Sequence, residues 1–203
     1  MIEIRRIPET VSYEQGLAMQ ERAAEELRAG GPEVFFLLEH QSVYTIGRTR
    51  DQSSLRGANL LPHPVFETNR GGQATYHGPG QLVGYPIFDL TKRGKDLHAH
   101  LRGLEQLLID TCAGFGITAR RRDGLTGVWV ENRKLASIGV GVRKWISMHG
   151  FAINVTPECL PAFHAITPCG IDGVTMSCVA MEAGRTVSIS SFTDALCEVL
   201  FRG

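Results

Sequence analysis

The chain has no excess of either charge: lysine plus arginine number 21 and aspartate plus glutamate number 21. A protein without a net field is not steered as a whole toward nucleic acid or an anionic membrane, so neither is expected as a partner. Cysteines are few, five in 203 residues, odd in number and without a C-x-x-C pair. With no secretory leader visible, that pattern argues against a disulfide scaffold and predicts the reducing cytoplasm. Long apolar runs are missing too. None approaches the roughly 20 residues that a membrane-spanning helix needs, so the protein is expected to be soluble. Nor is there an internal repeat, a low-complexity tract or a linker. His98 and His100 form an H-x-H, but positions i and i+2 of a helix point apart and no third ligand is evident, so no metal site is expected. Asn154-Val155-Thr156 fits a glycosylation sequon, which has no meaning for a chain expected to stay in the cytoplasm.

What remains is ordinary globular stock, 43% apolar and 21% charged, enough for one substantial core and a single domain over residues 1–203. Ile2 to Ile7 alternates like a strand, and Ser12 with Gln15 forms a capping box for a helix running to about Arg28. Val34 to Leu38 is too short an apolar run for a helix between breakers and reads as a buried strand, with a second short strand at Val43 to Thr45. Asp51 to Pro64 reads as a long surface loop. Leu82 to Leu90 returns to strand composition, and Leu97 to Phe115 carries apolar residues at helical spacing. Arg120, Arg121 and Arg122 read as a solvated loop. Val128 to Val130 and Leu135 to Val142 predict a hairpin, Ile146 to Val155 a further strand, and Ser191 to Phe201 a last helix. The class is α/β or α+β, a sheet flanked by helices in one domain.

The densest chemical signal runs from Arg70 to Gln81: four glycines and a proline around an arginine, a histidine and two glutamines. Glycines let a ligand approach bare backbone, while Arg70 and His77 offer polar contacts in a segment too glycine-rich to be core. A nucleotide loop is disfavoured, because neither G-x-G-x-x-G nor a P-loop lysine pattern is present. Taken alone, Cys169 is a packing residue by type. Its flanks, Pro168 and Gly170, instead put it at a sharp exposed turn where backbone N–H groups can stabilise an oxyanion. Cys112, Cys178 and Cys197 lack that setting and read as structural, and Cys159, after Pro157-Glu158, as exposed. Lys134 alone is a solvated hairpin lysine. The small residues that follow it, Ala136-Ser137-Ile138-Gly139, leave room for a ligand along the strand.

The segment from Arg70 to Gln81, with Tyr85-Pro86, resembles the signature of the lipoyl(octanoyl) transferases. Val43 to Arg48, Arg133 to Val140 and Pro168-Cys169-Gly170 agree in order and spacing. The resemblance spans roughly Val34 to Ser177, and Gln41-Ser42 departs from the usual pattern of its loop. It implies the mixed-sheet α/β fold shared with biotin and lipoate ligases, and an acyl group carried as a thioester by a Cys-Lys dyad, here Cys169 and Lys134. It implies an acyl pocket lined by Arg70, Gly71, Gly72, Gln73, Ala74, Thr75, Tyr76 and His77, by Ser137, Ile138 and Gly139, and by Gly150, Phe151 and Ala152. His149, beside the last group, would help shape it. The implied donor is octanoyl-acyl carrier protein. The acceptors are lipoyl domains of 2-oxoacid dehydrogenase complexes and the glycine cleavage H protein, and no cofactor is called for.

The residues support that chemistry independently. A free thiol has a pKa of about 8.5, so a nucleophilic cysteine at neutral pH needs a nearby cation. Lys134 supplies one, provided two residues distant in sequence meet in space. Three alternatives stay open: an ATP-dependent lipoate-protein ligase, which needs no cysteine nucleophile; an amidotransferase moving acyl groups between lipoyl domains; and a non-catalytic acyl-binding module.

Overall fold

The computed structural model describes residues 2–48, 52–55, 61–170 and 173–202. In chain order the elements are β1 (Ile2–Val11), α1 (Tyr13–Arg28), β2 (Glu33–His40), β3 (Val43–Ile46), β4 (Val65–Glu67), β5 (Thr75–His77), β6 (Gln81–Ile87), α2 (Leu97–Ala113), β7 (Arg120–Arg122), β8 (Leu125–Val130), β9 (Arg133–Arg143), β10 (Ile146–Asn154), β11 (Thr175–Met176), α3 (Val179–Ala183) and α4 (Ile189–Arg202), joined in places by 3-10 turns. No helix among the described residues is long and apolar enough to cross a membrane.

The main sheet is mixed, in the order β1-β2-β6-β10-β9-β8-β7, with β11 added beside β9. β1 and β2 run parallel, so the chain must cross over between them, and α1 is that crossover. The capping box starts it: Ser12 Oγ accepts from the Gln15 N–H at 3.2 Å, and the Ser12 N–H donates to Gln15 Oε1 at 2.9 Å. The other neighbours along the main path are antiparallel. A small sheet, β4-β3-β5, stands apart.

β2 shows why the main sheet is covered on both faces. Its alternation sends Phe35 and Leu37 into a core with Leu104, Leu108, Phe192 and Leu196 of α2 and α4. Val34, Phe36 and Leu38 pack on Ala23, Ala24 and Leu27 of α1. A strand buried on both faces reads as a continuous apolar run, which is how Val34 to Leu38 reads. A third core, around Tyr44, Ile46, Tyr76 and Phe163, backs the small sheet.

Four expectations are corrected. Arg120–Arg122 is an edge strand paired antiparallel with β8, and Arg121 also pairs at 3.0 Å with Glu105, a fully buried carboxylate of α2. Cys159 is buried, its Sγ donating to the Thr156 carbonyl at 3.3 Å and its thiol pushed up to about 12 by burial. The glycine-rich segment is not surface throughout: Ala74, Thr75, Tyr76 and His77 are all buried, because β5 pairs with β3 under the 3-10 turns that follow β10. Of the predicted loop from Asp51 to Pro64, positions 51 and 56–60 lie outside the described residues. Gln52–Ser54 forms a 3-10 turn, and Leu55 is buried and bridges to Ile166.

Candidate active site

Between the small sheet and the α1 face of the main sheet lies a narrow slot with about 40 Å³ of free interior. Its floor is Val83 and Tyr85 of β6, Ser137, Ile138 and Gly139 of β9, and Gly150, Phe151 and Ala152 of β10. Its roof is Tyr13 at the start of α1 and the glycine-rich segment, contributing Arg70 to Gln73, Thr75 and His77. The roof comes close because side chains are missing where it crosses the floor: a Cβ on Gly139 would come within 2.7 Å of the Gly71 carbonyl, and the Gly71 N–H donates to Val140 O at 3.0 Å.

Arg70 organises this roof. Its guanidinium donates to the Thr45 carbonyl at 2.8 Å, the Thr45 hydroxyl at 2.7 Å, the Gln73 carbonyl at 2.8 Å and the Gly71 carbonyl at 3.0 Å. These bonds fold the segment around the charge, so Arg70 serves the loop at least as much as any ligand. Behind it sits a ring cluster: Tyr13 stacks on His77, and His40 Nε2 meets the Tyr85 hydroxyl at 2.6 Å. His77 Nδ1 donates to Gln81 Oε1 at 2.8 Å. Burial, with the charge of Arg70 added, holds His77 well below the usual imidazole range and His149 down to about 4, so both stay neutral at pH 7.

His149 marks the end of the slot. It adopts φ +57°, unusual for a residue with a Cβ, and its N–H donates to the buried Gln20 Oε1 at 2.7 Å. Past it the slot opens into a wider cleft that shares Gly71, Gly72, Ile138, Gly139 and His149 and is also lined by Lys134. Lys134 is 2% exposed, with Nζ 5.1 Å from the centroid of the Trp129 ring. It is therefore a buried lysine and not a solvated one. An ammonium over an indole face is stabilised by the ring quadrupole. Gly127 leaves the space, since a Cβ there would lie 2.9 Å from Lys134 Cε.

Cys169 stands in a 3-10 turn, Pro168–Gly170, whose Gly170 has φ +67° and packs against the Gln73 carboxamide. The turn is tied down from both sides. Upstream, the Thr167 N–H donates to Ser54 O at 2.7 Å, and Ser54 Oγ accepts from the Ala74 N–H at 3.3 Å. Downstream, β11 pairs with β9, placing Met176 opposite Lys134, and the Ser177 N–H donates to Lys134 O at 3.0 Å. The Cys169 side chain itself lies outside the described residues, as do positions 171 and 172. No group of three His, Cys, Asp or Glu side chains among the described residues is arranged to hold a metal ion.

A family model, the lipoyl protein ligase A/B catalytic domain, matches residues 12–201. The chain belongs to this family. An octanoyltransferase of Citrifermentans bemidjiense is 48% identical over 190 residues, covering 94% of this chain and 89% of that protein. Another, from Geobacter sulfurreducens, is 50% identical over 187 residues, covering 92% and 78%. Among solved structures, a lipoate-protein ligase A bound with ATP superposes with a TM-score of 0.76 at 16% identity, covering 98% of this chain and 85% of that one. The biotin protein ligase of Aquifex aeolicus gives 0.56 at 11% identity, covering 98% and 67%. At such identities these two likenesses speak for the fold alone.

In this lipoyl protein ligase A/B member, twelve of the fourteen residues proposed from sequence to bind substrate line the slot. The other two, Ala74 and Tyr76, alternate to the opposite side of the wall and join the third core. The Tyr76 hydroxyl meets Ser42 Oγ at 2.9 Å, so the departure at Gln41-Ser42 has a local partner. Tyr13 and Val83 line the slot without having been singled out. Val83 is recoverable from its spacing with Tyr85 on one strand face, whereas Tyr13 has no local mark beyond opening a helix.

Proposed function

We propose that this chain is an octanoyltransferase, taking an octanoyl group from octanoyl-acyl carrier protein onto Cys169 and passing it to a lysine of a lipoyl domain. The observation that carries this reading is the anchoring of two distant segments on one slot: the Pro168–Gly170 turn against Gln73 in its roof, and β11 against Lys134 beside its floor. The names of the relatives agree with it.

In the first half-reaction the Cys169 thiolate attacks the thioester carbonyl of the donor. The new C–S bond forms, the carrier thiolate leaves, and Lys134 gives it a proton, which regenerates the carrier thiol. Lys134 is then neutral. In the second, the acceptor amine attacks the acyl-enzyme while Lys134 takes one of its protons. Cys169 departs as thiolate, an amide is formed, and the starting charges are restored. The neutral wall of Tyr13, His77, Tyr85 and His149 offers no anion to repel the thiolate. The apolar floor suits an unbranched acyl chain. The acceptor lysine would reach the acyl-enzyme through the wider cleft, and 2-oxoacid dehydrogenase complexes and the glycine cleavage H protein supply the lipoyl domains expected to present it.

Intact-mass analysis after mixing with octanoyl-carrier protein tests the reading. One octanoyl group should appear, disappear on adding a lipoyl domain, and be absent from Cys169→Ala. Retention of that mass in Cys169→Ala, or octanoyl adenylate formed from octanoate and ATP, would overturn it in favour of a binding module or a ligase.

A further inference from the structure

Thr75 carries a hydroxyl that the protein leaves unsatisfied. The residue is 4% exposed, and Oγ1 has no hydrogen-bond partner among the described residues. A buried polar atom left unpaired costs roughly 1–3 kcal/mol, so such atoms call for an explanation. Four side-chain atoms of this kind occur among the described residues, and only that of Thr75 belongs to a residue lining the slot.

Several neighbouring polar groups already have partners. Across the strand pair the Thr45 hydroxyl accepts from Arg70, and two residues on His77 donates to Gln81. The preceding Ala74 N–H is bound to Ser54, whose carbonyl holds Thr167. Through that link and the packing of β5 on the Pro168–Gly170 turn, the strand that carries Thr75 adjoins the turn that carries Cys169, to which the proposed acyl group would be bonded. There the one substrate atom able to accept a hydrogen bond is the acyl carbonyl oxygen.

We propose that Thr75 is a catalytic residue whose hydroxyl donates to that oxygen. The proposal rests on the acyl-transfer reading above. When Cys169 attacks, the new C–S bond pushes the carbonyl π pair onto oxygen. The Thr75 O–H stabilises this oxyanion without giving up its proton, and the pair returns as the carrier thiolate leaves. The same bond serves again when the acceptor amine attacks. A donor with no competing partner is preorganised for charge that exists only in the transition state.

The test compares T75V, which keeps the shape and removes the hydroxyl, with T75S, which keeps the hydroxyl. Single-turnover acylation by octanoyl-carrier protein is followed by intact mass over a range of donor concentrations. T75V should lose about 10²–10³-fold in maximal rate, with half-saturation and melting temperature near those of the wild type. T75S should stay within about tenfold of wild type. In ¹³C-labelled acyl-enzyme the thioester carbonyl stretch should move to higher frequency in T75V alone. A T75V enzyme that acylates at the wild-type rate, or a T75S enzyme as slow as T75V, would overturn the assignment. A wild-type protein that takes up no octanoyl would overturn the acyl-transfer reading and this proposal with it.

Discussion

Lys134 is kept in place by what its neighbours lack. Gly127 has φ +132°, a conformation open essentially to glycine, and its missing Cβ leaves room for the Ala136 carbonyl, 2.5 Å from where it would stand, and for Lys134 Cε at 2.9 Å. Gly127→Ala should therefore cost about 1–3 kcal/mol of stability and push the ammonium out of position. Acyl transfer should fall at least tenfold, more than the melting shift explains, and unchanged turnover would show that the lysine position is not critical. On the proposed dyad, Lys134→Ala should slow alkylation of Cys169 at neutral pH, because the thiolate would lose its cation. Iodoacetamide labelling followed across pH reads this directly, and an unaltered profile would remove Lys134 from that role.

The elements divide into those that build the slot and those that hold the sheet. α4 belongs to the second group: Phe192 is fully buried and stacks on Phe115 with ring centroids 5.4 Å apart. Phe192→Ala should cost about 3–5 kcal/mol while leaving the rate of the folded fraction near wild type, since α4 contributes no residue to the slot. β10 belongs to the first. Ala152 is a small residue in the slot floor, and Ala152→Leu should shift the preferred acyl chain to shorter lengths. The native preference for eight carbons should be modest, since each buried methylene contributes only about 0.8 kcal/mol and a pocket rejects one extra methylene by about 1–3 kcal/mol. Competition among carriers loaded with four- to fourteen-carbon chains would show it, and a flat profile would contradict a closed slot.

For the molecule as a whole the slot costs acid stability. His40 and His149 are held down to about 4 and His77 well below its usual value, in each case chiefly by burial. All three are neutral in the folded state, whereas an unfolded imidazole takes a proton near pH 6.5. Below that pH the unfolded chain binds more protons, so stability, full above about 6.5, should fall as pH drops toward about 4. The limit is about 1.4 kcal/mol per pH unit for each independent histidine. Denaturant melts between pH 7 and 4.5 should show the decline, and a midpoint constant over that range would exclude it.

Local features were legible without coordinates. The capping box at Ser12 and Gln15, the doubly buried β2 and the β8–β9 hairpin depend on neighbours within a few residues, so their spacing carries them. The glycine-rich segment and the Pro-Cys-Gly turn stood out because packing has no use for such compositions. β5 did not stand out: three residues after a run of glycines look like loop, and only pairing with β3 buries them. Arg120–Arg122 was missed for another reason: its partner β8 is local, across Asp123-Gly124, but the run of charges reads as solvated loop. The amino-acid order alone determined which residue types are available for acyl chemistry and to which family the chain is similar. Only the tertiary structure decided that Lys134 lines the cleft next to the slot and that the Pro168–Gly170 turn packs on the slot's roof, because that rests on β11 pairing with β9 and Gln73 packing on Gly170. Those contacts join positions far apart in the chain, and no local periodicity records them.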